Sequence, residues 1–252
     1  MARYLFLIYG VISYGIGLTG ILFFGFFLND QTPFWVSVDE SSSAQFTPNF
    51  LINTGLLLLF GLQHSVMARH GFKRHWTRLV SPVIERSTYV LLSGFVLMLI
   101  CVYWRPLPGT VWITDKTFIR SALTTLQAAG WILAAFSSCL INPLELLGLQ
   151  QVYNFFTNQP EPTHNFTDRY LYKWVRHPIQ LGILLGLWSA PTMTISRLML
   201  SAGMTVYIFI GLHFEERDLV NRFGLEYLAY RSKVRQLIPV PKRKPRPTSK
   251  ID

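Results

Sequence analysis

The sequence predicts an all-α, polytopic membrane protein with about six transmembrane helices, and three observations support this class. Half of the 252 residues are hydrophobic and only 14% are charged, whereas a soluble domain carries roughly 25% charge. Long uncharged runs recur along the chain, and a helix needs about 20 apolar residues to cross a bilayer. Basic residues are concentrated in alternate loops. These observations exclude a soluble globular protein.

Each predicted span corresponds to one uncharged run. In chain order, the runs are 4–28, 46–63, 87–104, 121–144, 178–196 and 198–212. The first four define a predicted N-terminal membrane region, residues 1–144. The last two are separated near Pro191 by a short polar turn, which predicts a helical hairpin. An amphipathic helix on the membrane surface is expected after the hairpin, from 219 to 238, with a break near Gly224.

The basic residues predict the orientation of these spans. Nineteen of the 23 Lys and Arg residues fall at the N-terminus, in the loops 69–86 and 145–176, or in the C-terminal part of the chain. By the positive-inside rule, both termini face the cytoplasm, which favours a bacterial inner-membrane protein. The net charge of +10 is then a signal of topology and of anionic lipid. The basic tail, 240–252, accordingly predicts a membrane surface and not nucleic acid.

Glycines in two of the predicted spans indicate close helix packing. GIGLTG at 15–20 matches a dinucleotide-binding pattern, but it lies inside a predicted membrane helix with no strand before it, so that interpretation is discarded. These glycines instead allow neighbouring helices to approach. Gly182 and Gly186 have the same potential because of their G-x-x-x-G spacing.

Two short motifs, RHPIQLG and EERDL, bracket the predicted hairpin. Folding at Pro191 brings Arg176 and His177 beside Glu215 and Glu216. Charge at a membrane boundary is costly and is therefore a sign of function. An ion pair that only ties the two helix ends together is the alternative interpretation.

The predicted mouth of the hairpin has a basic half and an acidic half. Pro178 suits the first position of a helix, and a helix N-terminus with Arg176 and His177 favours a carboxylate or phosphate. Glu215 and Glu216 favour a cation or a ribose diol. S-adenosylmethionine has both kinds of group, whereas ATP fits only the basic half without Mg²⁺. No metal site is predicted.

The C-terminal third resembles the isoprenylcysteine carboxyl methyltransferase-like family. The matching positions are Arg176, His177, Pro178, Gly182, Glu215, Glu216, Leu219, Phe223, Gly224, Tyr227, Tyr230, Val234, Ile238 and Pro239. The resemblance implies an enzyme that holds S-adenosylmethionine between the RHP and EE motifs at the cytosolic face. Gln180 stands where the family often has Tyr. The implied cofactor-binding residues are Arg176, His177, Pro178, Gln180, Gly182, Glu215, Glu216 and Tyr227, within a methyltransferase core at 145–239.

The N-terminal half resembles the members of this family that methylate methanethiol. The segments that carry this resemblance are QHSVMAR at 63–69, FKRHWTR at 72–78, ERSTYVL at 85–91 and W-x-P-x-P at 104–108. It implies methyl transfer from S-adenosylmethionine to methanethiol, which gives dimethyl sulfide, with hydrogen sulfide as an earlier acceptor. The implied partners are a small volatile thiol and the lipid bilayer.

Such a reaction needs a base, because the thiolate is the nucleophile. His64, Glu85 and Tyr89 are the candidate catalytic residues, since all three lie at the predicted cytoplasmic ends of the second and third spans. His64 is the first choice, although a lone His at a helix end is often structural, and Tyr89 is included as a residue that can supply a hydrogen bond. Lys233 is a weaker candidate for contact with the acceptor, because the carboxyl methyltransferases carry a basic residue there.

Two alternatives to a thiol methyltransferase stay open at this stage. One is a methyltransferase acting on lipid amines or on the carboxyl group of prenylcysteine. The other is a non-catalytic membrane protein on the same scaffold, as in the NnrU-like relatives. The aromatic-rich loop at 142–175 is likewise open to two interpretations, a lid over the site or an interfacial aromatic belt.

Overall fold

Ten helices and two short strands form the part of the chain that the computed structural model describes, residues 1–29, 37–39, 45–160 and 168–240. The long helices are α1 (Ala2–Leu28), α2 (Phe46–Met67), α4 (Pro82–Tyr103), α5 (Thr117–Ile141) and α9 (Ile195–Phe223). The shorter ones are α3 (His70–Trp76), α6 (Pro143–Leu146), α7 (Leu149–Thr157), α8 (Pro178–Trp188) and α10 (Leu225–Lys233). The strands are β1 (Thr110–Ile113) and β2 (Thr192–Thr194), and a 3-10 turn covers Tyr170–Lys173.

Five helices, α1, α2, α4, α5 and α9, are long and apolar enough to cross a membrane. The predicted all-α, polytopic membrane fold is thus confirmed. The fifth predicted span differs in detail, because α8 has only 11 residues and so rises about 16 Å. Pro191 disfavours helical geometry at the residue before it. The chain leaves the helix at Ser189, and β2 then pairs antiparallel with β1.

Glycines bring two pairs of helices into backbone contact. A Cβ atom added to Gly20 of α1 would lie 2.5 Å from the Gly94 carbonyl oxygen of α4. A Cβ atom on Gly182 of α8 would lie 2.5 Å from the Gly130 carbonyl oxygen of α5. One on Gly186 would meet the Trp131 ring at 2.5 Å. The prediction of close packing is therefore confirmed for Gly20, Gly182 and Gly186 and is wrong for Gly15, beside which a Cβ atom would meet nothing within 4 Å.

One end of the helix bundle is held together by buried polar contacts. Arg197 at the start of α9 pairs with Asp39, Nη2 to Oδ2, at 2.6 Å and donates a further hydrogen bond to the Leu28 carbonyl oxygen. The Asn53 side chain donates to the Arg105 carbonyl oxygen at 2.7 Å and accepts from the Arg105 backbone N–H at 2.9 Å. The loops between α1 and α2, α4 and α5, and α8 and α9 thus meet at this end.

The remaining loops meet at the opposite end. Arg86 donates to the Leu146 carbonyl oxygen at 2.8 Å. Arg69 lies 3.5 Å from Asp218, Nη1 to Oδ2. This alternation of the loops between two ends matches the arrangement predicted from the basic residues.

The segments around the hairpin are more helical than expected. Helix α9 continues through the EERDL motif to Phe223 and ends at Gly224, whose φ is +56°, a value that favours glycine. The amphipathic helix that follows, α10, is therefore shorter than predicted.

The 142–175 segment contains α6, α7 and the 3-10 turn, and Val152 of α7 packs on Gly10 of α1. Residues 161–167 of that segment, and 241–252 of the basic tail, lie outside the described residues.

Candidate functional site

Three residues of the predicted hairpin mouth form one buried cluster with Tyr227, and Glu216 is at its centre. The Glu216 Oε1 atom accepts hydrogen bonds from Arg176 Nε at 2.7 Å, His177 Nε2 at 2.8 Å and the Tyr227 hydroxyl at 3.0 Å. The side chains of Arg176 and Glu216 are each 7% exposed. Burial raises the pKa of the Tyr227 phenol, and the Glu216 carboxylate raises it further. Tyr227 consequently stays protonated and donates.

The chain after α10 fixes the position of the RHP motif. The backbone N–H groups of Arg176 and His177 donate to the carbonyl oxygens of Arg235 at 3.0 Å and Gln236 at 3.1 Å. Arg176 Nη1 also donates to the Val234 carbonyl oxygen at 2.5 Å. Pro178 is the first residue of α8 and is fully buried. The extended segment after α10 therefore closes over the start of α8.

The Arg–Glu ion pair considered from the sequence is thus present, and it occupies the basic groups of the motif. Glu215, the adjacent residue, has a different environment. Its side chain is 47% exposed, and its Oε2 atom lies 3.7 Å from His177 Nδ1 and 3.5 Å from Gln180 Nε2. Glu215 and Gln180 therefore present the open, acidic part of the hairpin mouth.

A polar recess of about 350 Å³ lies beside the cluster. Sequence reasoning missed most of its lining, although His213 and Arg217 stand one helical turn apart beside the EE motif. The lining residues are Arg176, Phe209, His213, Glu216, Arg217, Arg231 and Gln236. Because residues four apart share a helix face, Phe209, His213 and Arg217 lie on a different face of α9 from Tyr207 and Glu215. The recess therefore flanks the hairpin mouth on its basic side.

Two of the three predicted catalytic residues are in direct contact. His64 Nε2 lies 2.5 Å from the Tyr89 hydroxyl, and His64 Nδ1 lies 3.0 Å from Ser93 Oγ. The rings of Phe60 and Tyr207 pack on the imidazole at centroid distances of 5.2 and 5.7 Å. Ser93 and Tyr207 were not predicted, because their contacts with His64 bring together three helices.

The other predicted site residues lie apart from this pair. Glu85, one turn before Tyr89 on α4, lies 3.6 Å from Lys73, Oε2 to Nζ. Lys233 is an exposed residue at the end of α10. Gly182 packs against α5, so its contacts are with a helix.

The His64 pair and the hairpin mouth belong to one end of the molecule. The Arg69 guanidinium lies 4.4 Å from the centroid of the Phe214 ring, which joins the end of α2 to the EE motif. The Glu215 carboxylate is within electrostatic reach of the Tyr89 and Tyr207 hydroxyls. The contacts of Arg69 with Phe214 and of His64 with Tyr207 thus place the imidazole–phenol pair at the same end of α9 as the acidic hairpin mouth.

Known proteins match most of the chain in sequence. It is 42% identical to methanethiol S-methyltransferase of Mycobacterium tuberculosis, over 96% of this chain and 99% of that protein. It is 40% identical to methanethiol S-methyltransferase 1 of Bradyrhizobium diazoefficiens, over 94% of this chain and 83% of that protein. A more distant relative is human nurim, 32% identical over 66% of each chain. No family model and no solved structure matches the chain.

Proposed function

Because this chain belongs to the methanethiol S-methyltransferase family, we propose that it is an enzyme that transfers a methyl group from S-adenosylmethionine to methanethiol and releases dimethyl sulfide. The observation that carries the proposal is the 42% identity over both halves of the chain, which includes the hairpin and the helices of the His64 pair. Hydrogen sulfide, which would become methanethiol, is the second acceptor we propose.

The residues of the hairpin mouth fit a methyl donor that carries charges of both signs. Glu215 and Gln180 would hold the ammonium group or the ribose diol, because Glu215 is the exposed carboxylate. Arg176, His177, Glu216 and Tyr227 would keep the mouth in shape through their buried hydrogen bonds. When bound, S-adenosylmethionine supplies an electrophilic methyl group that is bonded to a positively charged sulfur.

The remaining residues have supporting roles in this proposal. Arg217, in the polar recess, would offer positive charge for a carboxylate. Arg231, which also lines the recess, lies 3.3 Å from Glu216, Nε to Oε2, and would help to hold that glutamate. Pro178 and Gly182 would act by setting the position of α8, Pro178 at its start and Gly182 at its contact with α5. Lys233 would attract a negatively charged acceptor or the lipid surface.

The acceptor side of the site would be formed by α2 and α4. Even a cysteine thiol has a pKa of about 8.5, so a small alkyl thiol is mostly protonated near neutral pH and must lose its proton to become an effective nucleophile. In this proposal, His64 and Tyr89 would together take that proton, with Glu85 as the next candidate. Residues 1–144 would then supply the thiol side and residues 145–239 the donor side.

The protein would lie in a bacterial inner membrane with its termini, its basic tail and this site on the cytoplasmic side. That orientation follows the distribution of Lys and Arg, and it places the donor site where S-adenosylmethionine is made. A small apolar thiol can dissolve in the bilayer and reach α2 and α4 from the lipid.

A single reaction separates thiol methylation from lipid methylation. Membranes containing the protein would receive methanethiol and S-adenosylmethionine labelled in the methyl group, and both the headspace and the lipid extract would be counted. Label in volatile dimethyl sulfide supports the proposal. Label only in lipid would overturn it in favour of a lipid-amine or prenylcysteine acceptor.

A further inference from the structure

The hydrogen bonds around Ser93 determine which nitrogen of His64 carries the proton. The Ser93 hydroxyl has a single proton, and it donates to the Tyr89 carbonyl oxygen at 2.8 Å. A carbonyl oxygen can only accept. With the Ser93 proton on that shorter bond, the contact of 3.0 Å between Ser93 Oγ and His64 Nδ1 is assigned to an Nδ1–H donor. Gln63, the other neighbour of Ser93 Oγ, is at 3.4 Å.

The other nitrogen of His64 is therefore a hydrogen-bond acceptor. The Tyr89 hydroxyl lies 2.5 Å from Nε2 and must be the donor in that bond. Both ring nitrogens of His64 are thus engaged, and neither can meet a thiol directly. The Tyr89 oxygen keeps lone pairs that can accept a proton while its own proton moves to Nε2.

We propose that Tyr89 is the residue that contacts the thiol, that His64 is the proton acceptor behind it, and that Ser93 is a positioning residue that fixes the tautomer of His64. This relay rests on the proposed function, which supplies the thiol. The thiol S–H bond breaks, its proton goes to the Tyr89 oxygen, and the Tyr89 proton goes to His64 Nε2. A lone pair on the thiolate sulfur then forms the new S–CH₃ bond. The bond between that methyl group and the sulfonium sulfur would break, and its electron pair would stay on the sulfonium sulfur, which leaves as a neutral thioether. The imidazolium afterwards returns its proton to solvent.

Charged groups from three sides face the relay. On α4, the Arg86 guanidinium lies 5.0 Å from the centroid of the Tyr89 ring, and Glu85 is one turn away. Arg69, just after α2, and Glu215 on α9 are both within electrostatic reach of Tyr89. The two arginines favour negative charge on the Tyr89 oxygen during transfer, whereas the two glutamates oppose it. The phenol of Tyr207 lies on the α9 side of the imidazole.

The tautomer can be measured without any turnover. The protein would be labelled with ¹⁵N-histidine in lipid, and His64→Gln would identify the His64 signals. The expected spectrum of the wild type shows a protonated Nδ1 and an unprotonated Nε2, and Ser93→Ala is expected to lose that preference. A wild-type spectrum with the proton on Nε2 would overturn the relay.

Kinetics provide the second test, with variants of α4 that differ only in position. Tyr89→Phe is expected to lower kcat with methanethiol by at least about 100-fold and to leave the Kd for S-adenosylmethionine within twofold. Tyr103→Phe, at the other end of α4, is the control and should keep the wild-type rate. Ser93→Ala should shift the pH profile of kcat, and Ser93→Thr should restore it. An undiminished rate in Tyr89→Phe would overturn the relay, whereas a wild type that makes no dimethyl sulfide but has the expected tautomer would overturn the proposed function alone.

Discussion

Glu215 and Glu216 are adjacent and identical in chemistry, yet their surroundings assign them different tasks. Glu216 is buried and accepts from Arg176, His177 and Tyr227, whereas Glu215 is half exposed. Removing one partner of a buried ion pair costs about 3–5 kcal/mol. Glu216→Gln is therefore expected to lower the unfolding temperature in detergent, because the amide leaves Arg176 buried without a full countercharge.

Glu215→Gln should have the opposite profile. We expect an unchanged unfolding temperature and at least tenfold weaker binding of S-adenosylmethionine by calorimetry, which corresponds to ~1.4 kcal/mol. Glu226→Gln, an exposed change on α10, is the control for both measurements. Wild-type affinity in a folded Glu215 variant would remove Glu215 from the donor site.

The hydrogen bond that Tyr227 donates to Glu216 should make the stability of the protein depend on pH. A hydrogen bond to a charged group contributes about 1.5–3 kcal/mol, which Tyr227→Phe should remove. Because burial raises the pKa of this phenol above its ordinary value, the contribution is fully present below the unfolded pKa of about 10 and is lost as pH rises through the folded pKa. Denaturation of wild type and variant should thus show a constant difference from about pH 6 to 9 that shrinks above about pH 10. A difference that changes near neutral pH would contradict this role of the Tyr227 phenol.

At the residue scale, the sequence predicted which charges meet but not how they are held. The proximity of Arg176 and His177 to the two glutamates follows from one fold-back at Pro191. The carbonyl oxygens of Val234, Arg235 and Gln236 that fix the RHP motif could not be predicted. Backbone acceptors have no residue signature, and the course of α9 and α10 determines where this segment meets the motif.

At the scale of elements, the contact between α1 and α4 depends on the absence of side chains. A Cβ atom at Gly20 would lie 2.5 Å from a backbone oxygen of α4, whereas one at Gly25 would meet nothing within 4 Å. Overpacking costs about 1–3 kcal/mol, so Gly20→Val should lower the unfolding temperature in detergent. Gly25→Val on the same helix is the matched control, and equal effects of the two changes would contradict this packing.

The short helix α8 shows where an apolar run is an insufficient guide to an element. The run at 178–196 is long enough for a full span, and its hydrophobicity does not distinguish helix from extended chain. Pro191 predicts a turn from the sequence alone. The pairing of β2 with β1 was not visible, because Thr110 and Thr194 are far apart in the chain and four residues such as TVWI have no strand pattern without their partner.

At the scale of the whole molecule, the two groups of loops should be on opposite sides of the membrane. Lys116, before α5, and Glu226, on α10, are both exposed. Cysteines introduced at these positions in a variant without the natural cysteines should react differently with an impermeant reagent applied to intact cells. We expect Lys116→Cys to be labelled and Glu226→Cys to be labelled only after lysis. Labelling of both in intact cells would disprove the proposed topology.

The hairpin of α8 and α9 is anchored at both ends, by Arg197 and Asp39 at one and by Glu216 at the other. Neither helix can slide along the membrane normal without breaking a buried ion pair, so these two helices hold a fixed position. Under the proposed function, a small apolar thiol would enter sideways from the lipid, and the volatile sulfide would leave by the same route. That product would dissolve in the bilayer and diffuse down its own gradient, so that methylation and disposal of the sulfur would become one event that needs no exporter.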